Sequence, residues 1–172
     1  MVRYSTGQTL AVFVARILHD YLRKAARSII THGLAHRMGT LVVGDHPDWK
    51  QHAPLGTRNN QNFVQIPHGQ LRTQLNNLCE RYGIRYREQE ESYTSKASFL
   101  DADAMPVWNG SHPARAFSGQ RLKRGLYRSA NGSTINADVN GAANILRKSH
   151  HRLEDERVAR GLLANPLRVK LT

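Results

Sequence analysis

From Val12 to His32 the residues Leu18, Tyr21, Leu22, Ala25 and Ile29 recur at the three- and four-residue spacing of an amphipathic helix, with Gly33 as the predicted stop. Thr40-Leu41-Val42-Val43-Gly44 is a short apolar run with β-branched members and reads as a buried strand. Residues 45–61 are polar and carry Pro47, Pro54, Gly56 and Asn59-Asn60, the composition of a loop. A second helix is predicted from Pro67, suited to a first turn, to Tyr82, with Leu71, Leu75, Leu78, Cys79 and Tyr82 inward and Gly83 ending it. Ile84 to Glu90 alternates weakly and reads as a second strand. Residues 92–134 show little periodicity, and an insert of that length implies a small module or a functional loop. The last patterned helix begins near Asp138, with Val139, Ala142, Ala143 and Leu146 on its apolar face and Arg147 and Lys148 in its last turn. No pattern is legible in residues 1–10, and the basic tail after Ser149-His150-His151 is expected to form one more helix.

Strands separated by helices predict crossover connections and a mostly parallel sheet, an α/β arrangement. No apolar run approaches a membrane span, so a cytoplasmic protein is expected. One cysteine, Cys79, excludes an intramolecular disulfide framework.

Charge changes the picture more than composition does. The chain has 25 Lys+Arg against 13 Asp+Glu, a net +12, and the excess is uneven. Residues 1–40 carry +5, residues 41–120 are neutral, and residues 121–172 carry +7. Basic flanks fit either a solvated surface or docking on a polyanion with counterion release, and an excess of this size favours nucleic acid.

Asp138 is the acid whose position asks most for an explanation. In the first turn of a helix it can simply serve the free backbone N–H groups, so a cap explains it on physical grounds alone. Its surroundings, Ile135-Asn136-Ala137-Asp138-Val139-Asn140-Gly141-Ala142-Ala143-Asn144-Ile145, resemble the third acidic motif of the RuvC-like nuclease domain in the transposon-encoded TnpB/OrfB family, relatives of the type V CRISPR effectors. Tyr21-Leu22-Arg23-Lys24-Ala25, Leu41-Val42-Val43-Gly44, Trp49-Lys50-Gln51, Arg58-Asn59-Asn60-Gln61-Asn62-Phe63 and Glu90-Glu91-Ser92-Tyr93-Thr94-Ser95-Lys96-Ala97-Ser98 are similar to further stretches of that family, in the same order.

The resemblance implies a partial RNase H-like (RuvC-like) fold, its C-terminal half, over residues 16–148, with 92–134 as insert, 1–15 as an N-terminal segment and 149–172 as a basic tail. It implies an RNA-guided endonuclease of transposition that cuts DNA with Mg²⁺ or Mn²⁺, with DNA and, in full-length relatives, guide RNA as partners. Asp138 is the match to a metal-ligating Asp. Where the family's second motif places a Glu, this chain has Gly44, so Glu91 is assigned that role, with Glu90 and Asp45 as lesser candidates; a solvated strand end explains Glu90-Glu91 equally well without the resemblance. Nucleic-acid contacts are expected from Lys50, Arg58, Lys96, Arg121, Lys123, Arg124, Arg147 and Lys148. The first-motif Asp would lie upstream of everything aligned, so an incomplete nuclease is expected, idle alone and completed by an N-terminal half or second chain. A non-catalytic DNA/RNA-binding module or decayed transposon remnant is the alternative. Ala97 and Phe117-Ser118-Gly119 stand where zinc-ribbon cysteines occur in many relatives, so no structural zinc is expected.

Overall fold

The structure is a computed structural model. It describes residues 6–45, 67–107, 117–150 and 169; of residues 6–11 only the backbone is described. It is a mixed α/β protein with small sheets: α1 (Thr6–Ala35), β1 (Thr40–Asp45), α2 (His68–Arg81), β2 (Arg85–Glu90), β3 (Gln120–Lys123), β4 (Leu126–Arg128), β5 (Thr134–Asn136) and α3 (Ala137–Lys148). Two compact units divide the chain, one of Met1–Leu41, Ala53–Tyr86 and Val169–Thr172, the other of Val42–His52 and Arg87–Arg168, and the division runs across β1 and β2. Among the described residues, no helix is long and apolar enough to cross a membrane.

In the first unit α1 packs on α2. The helix starts at Thr6, within the stretch where no pattern is legible, and its inward stripe is Leu22, Ala26 and Ile30, while Tyr21 and Ile29 are exposed. The predicted face was therefore about one residue out of phase. Val12, Phe13, Val14, Ile17 and Tyr21 are also exposed, and these outward apolar residues blur the stripe. Gly33 does not stop the helix. It is buried in the last turn, where Met38 folds over it, and the left-handed residue that ends α1 is Arg37, at φ 55°. On α2, Leu75 and Cys79 are buried as predicted, whereas Tyr82 is exposed. Gly83 (φ 69°) does end α2. Its N–H reaches the Glu80 carbonyl at 3.3 Å and that of Ile84 the Cys79 carbonyl at 2.8 Å, a Schellman closure.

β1 and β2 pair. Arg85 N–H donates to the Gly39 carbonyl and Glu91 N–H to the Asp45 carbonyl, an advance in the same direction along both strands, so the pair is parallel as the helical crossover requires. In the second unit the aperiodic insert and the first residues of the Asp138 motif form an antiparallel meander, β3-β4-β5. Strands of three or four residues are too short to print an alternation on the sequence, which hid them. Gly125 (φ 77°) turns β3 into β4, and Gly132 (φ 84°) lies in the turn from β4 to β5. Tyr127 is fully buried and forms a core with Ile135, Ala137 and Ala143, against which Phe99, Leu100 and Val139 pack. Beside this core, Phe117 meets Tyr93. Trp108, the 45–61 loop from residue 46 onward and the predicted tail helix lie outside the described residues.

Candidate functional site

The second unit brings together α3, the segment 91–103 and the β3–β4 ribbon. Asn136 caps α3: its side-chain oxygen accepts from Asp138 N–H at 2.9 Å and Val139 N–H at 3.0 Å. Asp138 is therefore not the cap. Its carboxylate is exposed and stands 3.5 Å from the Arg121 guanidinium on β3.

The buried stripe of α3 differs from the predicted one. Ala142 is exposed, and Asn140 and Asn144 are wholly buried beside Ala137 and Ala143. One turn apart, the two amides clamp the segment after β2. Asn140 donates to the Ala97 carbonyl at 2.9 Å and accepts from Phe99 N–H at 3.0 Å. Asn144 donates to the Thr94 and Ala97 carbonyls at 2.9 and 2.8 Å. Sequence reasoning missed this role because asparagine does not count toward an apolar stripe; the four-residue spacing of the pair was the available signal.

Asp103 supplies a second tie. Its carboxylate accepts from Ser98 N–H at 2.8 Å, Ser118 N–H at 3.0 Å and the Ser118 hydroxyl. Burial pushes its pKa up, but the serine hydrogen bonds and the Arg147 charge outweigh burial and hold it below the usual carboxylate value. Tyr127 closes the same region by donating to the Lys96 carbonyl at 2.8 Å. Burial, then the charges of Asp103 and Asp101, push its phenol up to about 12, so it remains a donor at neutral pH.

Glu91 lies beyond the end of β2, half-buried, with its carboxylate against Gly44. A Cβ on Gly44 would run into that carboxylate and come within 2.9 Å of Ile145 Cδ1, so Glu91 fills the space a side chain at 44 would need. Ile145 is two helical turns from Asp138, about 10 Å along the axis at 1.5 Å per residue. Glu90 accepts from the Lys148 ammonium and from Ser92 N–H at 2.6 Å. Burial raises its pKa, yet the Lys148 and Ser92 interactions prevail and lower it overall. Asp45 is half-buried, its backbone carbonyl pairing with Glu91. Among the described residues, no three of His, Cys, Asp or Glu group so as to hold a metal ion.

The predicted cations separate into three sets. Arg121, Lys123, Arg124 and Lys96 are exposed, as is Arg128, which was not singled out. Arg147 and Lys148 are engaged inside the unit. Arg147 donates to the Asp103 carbonyl and lies over the Phe99 ring; burial lowers its pKa while Asp103 opposes that. The Lys148 side chain is only 8% exposed, held by Glu90 and by the Ser92 carbonyl at 3.1 Å. Lys50 and Arg58 lie outside the described residues.

Residues 68–145 match the family model described as Cas12f1-like, TNB domain. No curated protein matches the sequence. The fold is similar to that in a cryo-EM structure of a Cas12f1–sgRNA–target DNA complex, with a TM-score of 0.55 and 17% identity over 80% of this chain. The chain spans 35% of the length of that relative.

Proposed function

We propose that this chain, a TnpB/Cas12f-like relative, is a nucleic-acid-binding segment that holds a phosphate backbone with its β3–β4 ribbon and does not cut by itself. One observation carries the reading. Arg121, Lys123, Arg124 and Arg128 are all exposed on one short hairpin, and only Arg121 has a carboxylate partner among the described residues. Cations set along a paired ribbon suit phosphate oxygens, whose capture releases counterions and carries no sequence information. The similar Cas12f1 structure holds both sgRNA and target DNA, so RNA and DNA are both proposed as partners. A parallel strand pair followed by the α3 helix supports reading residues 16–148 as part of a RuvC-like fold.

The donor set described does not suit a pair of divalent ions. Two-metal hydrolysis needs carboxylates from separate elements converging on ions about 3.5–4 Å apart. Here Asp138 faces Arg121, Glu90 is held by Lys148, and among the described residues no three His, Cys, Asp or Glu side chains group to hold an ion. The Glu91 carboxylate fills the space a side chain at 44 would need, which supports reading it as a stand-in for the strand-end acid, and Mg²⁺ or Mn²⁺ would require further carboxylates beside it. No hydrolytic step is derived on these residues.

The test is titration of labelled single- and double-stranded DNA and RNA across salt concentrations. Affinity is expected to fall steeply with salt, and Lys123→Gln/Arg124→Gln/Arg128→Gln to lower the logarithmic salt slope by about 2–3. Absence of binding at low salt, or a slope indifferent to the triple substitution, refutes the reading. A Mg²⁺- or Mn²⁺-dependent nicking assay on single-stranded DNA is expected to show no cleavage. Cleavage by the chain that Asp138→Ala abolishes would mean that its acids do complete a metal site.

A further inference from the structure

Asp138 has been relieved of the task its position suggests. Asn136 accepts from the Asp138 and Val139 N–H groups, the Asp138 side chain is 81% exposed, and its partner is Arg121 at 3.5 Å, itself 45% exposed. An ion pair this open adds little to stability. Its larger effect falls on Arg121, because a guanidinium offers the same planar donor fork to a carboxylate and to a phosphate.

We infer that Asp138 competes with nucleic-acid phosphate for Arg121 and thereby holds down the affinity of the β3–β4 ribbon for a polyanion. The inference rests on the nucleic-acid reading above. For a phosphate to dock on Arg121 the pair must open. The phosphate then sits within one Debye length, about 8–10 Å, of a carboxylate of its own sign. Lys123, Arg124 and Arg128 carry no such cost, since no carboxylate pairs with them among the described residues. The ribbon therefore has one restrained cation next to three unrestrained ones. Removing the acid charge should tighten binding rather than weaken it, opposite to the effect expected of a residue that aids binding.

The experiment is fluorescence anisotropy with a labelled single-stranded oligonucleotide in EDTA, at low and at moderate salt, with far-UV spectra confirming that each variant is folded. Four chains form a cycle: wild type, Asp138→Asn, Arg121→Gln and the double substitution; Lys123→Gln/Arg124→Gln is measured beside them. Asp138→Asn is expected to bind about threefold tighter at low salt, with the gain shrinking at higher salt. In the Arg121→Gln background less than half of that gain should remain. Asp138→Asn binding no tighter than wild type overturns the competition, and so does a full gain without Arg121, which would be repulsion at a distance. Wild-type binding that is salt-indifferent and untouched by Lys123→Gln/Arg124→Gln overturns the ribbon reading itself. That result is distinct, because it appears before any comparison at Asp138.

Discussion

Asn140 and Asn144 show what a single buried amide does in this protein. Each replaces apolar packing with hydrogen bonds to a turn-built segment, reaching backbone groups at 94, 97 and 99. Truncating Asn140 leaves the Phe99 N–H without its partner and removes one of two donors to the Ala97 carbonyl. Asn140→Ala is expected to cost about 1–3 kcal/mol in a urea unfolding experiment. Asn140→Leu should cost no less, since added hydrophobicity repairs neither loss. Gly119 is constrained differently, because a Cβ there would approach the Arg128 carbonyl and the Tyr127 ring to 2.6 Å. Gly119→Ala is expected to destabilise by about 1–3 kcal/mol, as other overpacked sites do, with a fall in thermal midpoint as the check. The motif around Asp138 was legible in the sequence as a family resemblance, but the division of labour inside it was not. That Asn136 caps, Asn140 and Asn144 clamp and Asp138 faces Arg121 depends on where the 91–103 segment and the ribbon run, which local spacing does not encode.

At the scale of elements, the three described helices were legible from patterns sustained over several turns, and the two parallel strands from a β-branched apolar run and a weak alternation. Their caps were legible where chemistry is local, as at Gly83, and misread where a tertiary neighbour decides, as at Gly33 beneath Met38. The meander was illegible for want of length. The Asp103 carboxylate ties Ser118, just before β3, to Ser98 in the segment after β2, and this tie is pH-dependent. Its folded-state pKa is lowered, as is that of Glu90. Groups of this kind contribute stability above the unfolded carboxylate value, near 4, and lose it as pH falls through their lower folded values. Acid unfolding monitored by tyrosine fluorescence should therefore begin below about pH 4. Asp103→Asn should unfold more easily at neutral pH and show a shallower loss of stability on acidification; an unchanged acid profile would contradict this account.

For the whole molecule, the charge pattern favours a polyanionic partner, and the fold separates the charges engaged inside it from those left exposed. Lys148 and Arg147 belong to the architecture, whereas the hairpin cations face solvent. Counting cations in sequence could not separate these roles, because a buried and an exposed lysine are spelled alike. The tie through Asp103 has one more consequence. In a ribbon closed by thiolates and zinc, folding draws on the supply of an ion and on cysteines staying reduced. Ser98 and Ser118 are joined instead by an oxygen ligand that the chain carries itself, and the residue at 97 is alanine. The meander is therefore expected to form equally well in a metal-starved or an oxidising medium, its circular dichroism unmoved by chelator or mild peroxide; a loss of signal on adding chelator would show that a metal holds it.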